Sequence, residues 1–511
     1  MSEPLQRCLR IERTATAFSP WALAAACEDQ PYAALLENPG VPSDFGRYAW
    51  FCTDPFLVFR SARGRCHAGP PGDLAPVEGA PLAMLETLLR RYGAGPVDEP
   101  TREGLPPFVG GAVGTLGYEL LYEIEDQPGL IGERADDDLA LPDCTLMFCD
   151  LVFAADLLTR SSWIFATGFG EDAATAAARA DARLEAGRAL LARLDERSPS
   201  SPLPWRELAG AARAAWPRLR EADLPTHGVQ ATVDREGYLA AITEIQQEIQ
   251  AGKVFEVCLT QRFDASLPPT LADGRGLYEI LRAINPAPMS AYLRLPEAEL
   301  LSASPERFLS LDPEGHVETR PIKGTRPRGR NDDEDRALRD DLLTAEKDRA
   351  ENLMIVDLCR NDLGKVCRFG SVRVGELCGV HPYEFTWQMV STIHGRLRPS
   401  LGPIDLLRAC FPGGSMTGAP KVEAMKIINR LEPRVRGAFS GAIGFFDFGG
   451  AVDLSIVIRT IVCMNDRRLS FHVGGAIVAD SVPAEEYQET LDKAHALVLA
   501  IELAARAGEV R

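Results

Sequence analysis

From about residue 18 to 166, short apolar runs alternate with Gly/Pro turns. Gly46-Arg47-Tyr48-Ala49-Trp50-Phe51, Phe56-Leu57-Val58-Phe59 and Thr145-Leu146-Met147-Phe148 read as strands. Phe108-Val109-Gly110-Gly111-Ala112-Val113-Gly114 reads as a glycine-rich strand or turn where backbones approach closely. Residues 171–195, rich in Ala, Arg, Glu and Leu at helical spacing, predict a helix. From Ser198 to about Thr232 the period is lost among Ser, Pro, Arg and Ala, which marks a linker. Beyond it, Leu239, Ile242, Ile245 and Ile249 give Arg235 to Ala251 an amphipathic helix stopped by Gly252. A strand from Val254 to Phe263 follows, then a helix near 276–284 and strands around 291–311. A long helix is expected through Thr344–Asp362, a Gly/Pro loop over 411–420, and a helix over Lys421–Leu431. Strands over 441–448, 452–464 and 469–479 precede a last helix near Ala484–Ala505. These elements do not alternate as βαβ units, so the pattern predicts an α+β fold with large antiparallel sheets. It divides into a region 18–166, a helix and linker 167–232, and a region 233–500.

Composition narrows the partners. The 511 residues carry ample apolar material for a large core and a formal net charge of -18. That charge argues against nucleic acid or an anionic membrane as the main partner. A small anion would have to be held by local Arg, Lys, backbone N–H groups or a metal ion. The cysteines are scattered, without a C-x-x-C pair or a Cys/His cluster, which weakens zinc and redox-motif readings. The N-terminal residues lack a signal-peptide core, and the most apolar run, Cys144 to Leu158, is short and carries Asp150 and Asp156. A cytoplasmic location with reduced thiols is expected.

Four segments carry candidate chemistry. Asp348 and Glu351 share one face of the long helix, and Glu486 and Glu489 share one face of the last helix. Two such faces could converge on magnesium, which takes one or two protein carboxylates; they could equally be solvated faces paired with Lys347 and Lys493. Ser304-Pro305-Glu306-Arg307-Phe308 precedes Arg320-Pro321-Ile322-Lys323-Gly324-Thr325-Arg326-Pro327, where Pro and Gly would constrain Lys323. That lysine is a nucleophile if its surroundings favour the neutral amine, with Glu306 as acid or base; otherwise it is a solvated charge. The loop Phe411 to Lys421 fails the phosphate-loop pattern and is either a tight turn or a donor of N–H groups to a carboxylate. Arg459, set in the apolar strand residues Ile456 to Ile461, must pair with an internal acid or await an anionic ligand. Gly474 and Gly475 would let a small ligand approach the backbone.

Together these segments resemble the chorismate-utilising enzymes, a family that includes the large subunits of anthranilate synthase and aminodeoxychorismate synthase, with isochorismate and salicylate synthases as relatives. The likeness runs through most of 234–500, including Lys347-Asp348-Arg349-Ala350-Glu351-Asn352-Leu353-Met354-Ile355-Val356-Asp357-Leu358, Gly413 to Lys421, and Glu486-Tyr487-Gln488-Glu489-Thr490. It extends to Leu35-Leu36-Glu37, Gly46-Arg47-Tyr48 and Gly110 to Gly114. The resemblance implies two large antiparallel sheets packed face to face with helices outside. It also implies chorismate as substrate and Mg2+ as cofactor, with Glu351 and Glu489 as metal ligands and Asp348 and Glu486 beside them holding metal-bound water. Gly324, Thr325, Arg459, Gly474 and Gly475 match positions that hold substrate carboxylates, and Glu306 an acid/base residue.

Lys323 divides the family. Members that aminate carbon 2 carry Ala there, whereas the carbon-4 branch carries Lys, thought to attack carbon 2 and expel the 4-hydroxyl before ammonia displaces it. Lys323 therefore implies 4-amino-4-deoxychorismate as product, on a route to 4-aminobenzoate and folate; carbon-2 amination to anthranilate is the alternative. Gln261 is expected where isochorismate and salicylate synthases place a water-activating Lys. Gln388 replaces a frequent His, Ala476 a frequent Gly, and Phe439 a Tyr or Trp. The chain shows no Gly-x-Cys-x-Gly elbow, so a glutamine amidotransferase partner is expected to supply ammonia. Leu36, Glu37, Asn38, Pro288, Met289 and Ser290 resemble the family's tryptophan pocket, which regulates the carbon-2 branch and can be structural in the other.

Overall fold

The computed structural model describes residues 5–43, 45–93, 97–98, 104–124, 131–196 and 219–506. Of the expected linker, residues 198–218 lie outside these; 219–232 form a 3-10 turn, Glu221–His227, and a short strand, Gln230–Ala231.

The described residues form two sheets. The first runs in spatial order through Gln230–Ala231, Glu256–Ser266, Arg468–Ile477, Thr460–Met464, Ala298–Ser304, Met289–Arg294, Ala33–Glu37, Tyr48–Thr53, Leu151–Asp156, Ser161–Gly170, Gln6–Arg13 and Val97–Asp98. The second runs through Ile322–Pro327, Thr386–Arg396, His316–Thr319, Arg307–Leu311, Val452–Ile456, Ala442–Asp447, Gly111–Leu116, Cys144–Cys149, Leu57–Ala62, Arg65–Gly69 and Ala75–Val77. Gly418–Ala419 adds to the first sheet beside Glu256, and Arg373–Pro382 to the second beside Thr386–Arg396. Pairing is antiparallel throughout except where Gln6–Arg13 meets Val97–Asp98. Both sheets are composite, each drawing strands from before residue 171 and from after 229. The early and late strands join where Ser290 pairs with Glu37 in the first sheet and where Gly444 pairs with Gly114 in the second.

The sheets pack face to face. Trp50, Val152 and Phe165 of the first meet Val113, Met147 and Phe445 of the second in one buried cluster. The outer face of the first sheet, with Leu259, Phe263 and Leu301, is covered by the helices Arg235–Gln250, Gly274–Ile284 and Pro483–Arg506. The outer face of the second, with Phe148, Leu309 and Ile393, is covered by Pro81–Gly93, Glu346–Val366 and Pro403–Cys410. Strands covered on both faces lose the polar/apolar alternation, and all ten residues of Ser161–Gly170 are buried. The glycines of Gly110 to Gly114 do mark a close approach: a Cβ at Gly111 or Gly114 would run into the carbonyls of Phe446 and Thr145.

Two apolar runs are divided in the structure where the chain changes sheets. The run Cys144 to Leu158 is a strand in each sheet, Cys144–Cys149 and Leu151–Asp156. The strand expected over 452–464 is also two, Val452–Ile456 in the second sheet and Thr460–Met464 in the first. Arg459 is therefore in the crossover, with φ +53°, and not within a strand. The long helix expected through Thr344–Asp362 is Glu346–Val366, set off from a preceding helix, Asp332–Thr344, by a break at Ala345, whose backbone is extended. That break puts Lys347, Asp348 and Glu351 in the opening turns of Glu346–Val366, where the helix dipole favours carboxylates. No described helix is long and apolar enough to cross a membrane.

Phe165 is fully buried between the sheets. Phe165→Ala is expected to lower unfolding stability by about 3–5 kcal/mol, measured by urea titration; a loss under about 1 kcal/mol would contradict a tightly packed inter-sheet core.

Candidate active site

Lys323 lies on the edge strand of the second sheet, Ile322–Pro327. The register against Thr386–Arg396 slips between Ile322 and Thr325, and Gly324 there has φ +86°. Such a bulge re-aims a side chain. A Cβ on Gly324 would lie 2.9 Å from Asp348, so only glycine lets the bulge close on the helix Glu346–Val366. The Lys323 ammonium donates to Glu256 Oε1 at 2.9 Å, and the two side chains are 10% and 1% exposed. Burial favours the neutral amine, but the negative fields of Glu256 and Glu351 outweigh it and hold Lys323 above its ordinary pKa. The surroundings thus favour the ammonium in the free protein, opposite to the condition set for a ready nucleophile.

Glu256 was not among the residues singled out from the sequence. It opens an apolar strand, Val257-Cys258-Leu259, and a charged residue at the head of such a run was the available signal. The Gly/Pro loop fixes it: Gly418–Ala419 pairs with Glu256 and Val257, and Thr417 O accepts from Cys258 N. Lys421 anchors that loop by donating to Asp362 and to the carbonyls of Cys410 and Pro412. The same loop delivers the Ser415 hydroxyl to Glu306 Oε1 at 2.7 Å. Burial raises the Glu306 carboxyl to about 7, against the opposing pull of Ser415 and Lys323.

The two acidic helix faces do converge. Glu351, largely buried, is raised to about 7 by burial, with Lys323 and Lys347 opposing and Glu256 and Glu489 adding to the rise. Glu489 is held low chiefly by Lys493, which reaches it at 2.6 Å and also donates to Gly474 O. Glu486 is buried and accepts from Lys347 at 2.9 Å and from Ser481 at 2.7 Å. Asp348 is held by Arg326 at 3.0 Å. A Cβ on Gly475 would lie 3.3 and 3.4 Å from Glu486 and Glu489, so this glycine leaves room in front of the pair. Both the convergence and the pairing with Lys347 and Lys493 are present. Glu351 and Glu489 offer hard oxygen donors of the kind a small divalent cation takes, although among the described residues no group of three or more acidic, His or Cys side chains is gathered as a metal cluster.

Arg459 resolves the choice posed by its sequence. Its guanidinium has no hydrogen-bonded or ion-paired partner among the described residues. Burial lowers its pKa, while Glu489 and Glu306 oppose that from a distance. A cation in this state is a ready receptor for an anion.

Among the other expected residues, Thr325 is exposed and pairs across the sheet with Gln388. Ala476 and Gly474 lie opposite Cys258 and Thr260. Phe439 stacks on the buried His472 with ring centroids 5.1 Å apart. Gln261 is not brought to Lys323. It shares a strand face with Val257 and Leu259, toward the outer helices, and donates to Thr490 at 2.7 Å. The side chain at the Lys323 position is Glu256, on the opposite face.

A second group assembles elsewhere. Glu37, Pro288, Met289 and Ser290 line a cavity of about 240 Å³ together with Trp50 and Asp453. The Glu37 carboxylate is taken by Tyr278 and Arg282, and Asn38 ties down the loop through the carbonyls of Val41 and Gly46.

Residues 49–499 match the chorismate binding enzyme family, and the chain belongs to it. It is 44% identical over 484 residues to an aminodeoxychorismate synthase from Streptomyces griseus, covering 93% of this chain and 61% of that protein. It is 36% identical over 502 residues to anthranilate synthase component 1 from Pseudomonas putida, covering 97% and 95%. The crystal structure of anthranilate synthase component I from Streptococcus pneumoniae superposes with a TM-score of 0.71 at 27% identity, covering 90% and 93%.

Ser415→Ala removes a donor to the ionised Glu306 carboxylate. The carboxyl is expected to titrate about one pH unit higher, the equivalent of one net hydrogen bond. Carbon-13 NMR of labelled glutamate would read it; a downward shift would contradict the assignment.

Proposed function

We propose that this chain aminates carbon 4 of chorismate, as component I of an aminodeoxychorismate synthase, through a covalent bond to Lys323. The observation that carries the reading is a lysine buried between Glu256 and the acid-rich helix ends, with Glu306 nearby. The 44% identity to the Streptomyces griseus protein supports it. The 36% identity to an anthranilate synthase component favours carbon-2 amination as the second reading, which leaves Lys323 without a task.

In this reading Arg459 receives a substrate carboxylate, with Gly474 and Gly475 giving access to the backbone. Thr325 and Gly324 border the same space, and Phe439 and Ala476 shape its wall. Lys323 Nζ forms the bond to carbon 2, and Glu306, carrying a proton below about pH 7, gives it to the departing 4-hydroxyl. Ammonia then bonds to carbon 4 and the lysine leaves from carbon 2. Mg2+ held by Glu351 and Glu489 would neutralise these carboxylates and bind the ring carboxylate as a Lewis acid. Asp348 and Glu486, already held by Arg326 and by Lys347 and Ser481, would orient water around it. Ammonia is assigned to a glutamine amidotransferase partner and the product to 4-aminobenzoate and folate synthesis. The cavity beside Met289 is assigned to a bound tryptophan.

Protein, chorismate, magnesium and ammonium are expected to yield 4-amino-4-deoxychorismate by mass spectrometry, and Lys323→Ala to abolish it. Anthranilate as the product would overturn the reading. The sign of the pH dependence follows from burial, which keeps Glu306 protonated below about 7. Departure of the hydroxyl should therefore slow as pH rises through about 7, and Glu306→Gln should remove that limb and slow the step ~100–1,000-fold.

A further inference from the structure

Building on the lysine route just proposed, we infer that Glu256 is the base that frees the Lys323 amine and later returns its proton. Among the described residues Glu256 is the only hydrogen-bond partner of Lys323 Nζ, at 2.9 Å. It is fully buried, and its Oε2 has no hydrogen-bond partner among the described residues, so the carboxyl has an oxygen to spare there. Its backbone pairs with Ala419, and its neighbour Val257 pairs with both Gly418 and Ile477, which holds the carboxyl near the amine. The other charged groups facing this pair are Glu351 from the helix Glu346–Val366, Glu489 from the helix Pro483–Arg506 and, at longer range, Glu306. The Cys258 thiol, buried on the same strand, completes the surround.

The requirement is chemical. An ammonium has no lone pair, so Lys323 must lose a proton before its nitrogen can bond to carbon 2. Burial favours the neutral amine, and Glu256, Glu351 and the Cys258 thiol keep it charged. Proton transfer from Nζ to Glu256 turns the ion pair into a neutral pair, which a closed, dehydrated site tolerates better. The neutral amine then bonds to carbon 2 as a secondary ammonium, while Glu306 gives its proton to the 4-hydroxyl, which leaves as water. When ammonia bonds to carbon 4, the carbon-2 bond breaks and Lys323 departs as an amine. Glu256 returns its proton to that amine, and Glu306 recovers one from the new 4-ammonium group. Every proton is accounted for, and the site closes the cycle unchanged.

Glu256→Gln keeps a hydrogen-bond acceptor for Lys323 but removes the base. The rate of adduct formation with chorismate and magnesium, without ammonia, is read by rapid quench and intact-protein mass. For Glu256→Gln it is expected to fall ~100–10,000-fold near pH 7.5, and its ratio to the wild-type rate to climb with pH as solvent deprotonates the lysine. Chorismate affinity should stay within about threefold, since less than 1 kcal/mol of binding is at stake. Glu256→Asp, which retains a withdrawn carboxylate, is expected to lose about tenfold with the wild-type pH profile. A Glu256→Gln rate near wild type, or a Glu256→Asp rate at or above it, overturns this inference while leaving the lysine route intact. Absence of any adduct in the wild-type chain overturns the lysine route itself and the inference with it.

Discussion

A lysine and a glutamate, both withdrawn from water, tie together the edges of two sheets. Lys323 stands on the edge strand of the second sheet and Glu256 on the penultimate strand of the first. A lone ammonium in that position would be intolerable, and so would a lone carboxylate. Each therefore requires the other, and the pair demands that the sheets close at this end. The bulge at Gly324, the pairing of Gly418–Ala419 with Glu256, and the Lys421 anchor under that loop all bring the two groups to hydrogen-bond distance.

Charge in the site is arranged in excess. Glu256, Glu306, Glu351 and Glu489 face Lys323, Lys347, Lys493 and Arg459 within one crowded region. Burial alone would neutralise the carboxylates, and Glu306 and Glu351 are indeed raised to about 7. Glu489, next to Lys493, stays ionised. Environments that push similar groups apart in this way separate a proton donor from an anion. Arg459 gains its character from position: it sits in the sheet-to-sheet crossover at positive φ and makes no ion pair among the described residues.

Much of this was legible in the sequence because the residues concerned obey local rules. Lys421–Leu431, Arg235–Gln250 and Pro483–Arg506 fall within a residue or so of where periodicity and Gly stops put them. Glu351 with Asp348 and Glu489 with Glu486 reveal a shared face by spacing alone. What was not legible depends on long-range pairing. Nothing local says that 452–464 changes sheets at Arg459, because both halves are equally apolar. Gln261 and Glu256 occupy one strand, and only the packing partner of each face separates them: Thr490 behind one, Lys323 before the other. The protonation of Lys323 is likewise a property of the assembled site, since Glu256 reaches it from 67 residues upstream and Glu351 from the helix Glu346–Val366.

The account stands on Lys323 becoming bonded to substrate. Its most direct measurement is peptide mapping by mass spectrometry after incubation with chorismate and magnesium in the absence of ammonia. The account predicts that the peptide containing Lys323 gains the mass of chorismate less one water, and that ammonium discharges it. An unmodified Lys323 peptide from protein that nonetheless turns over would contradict it.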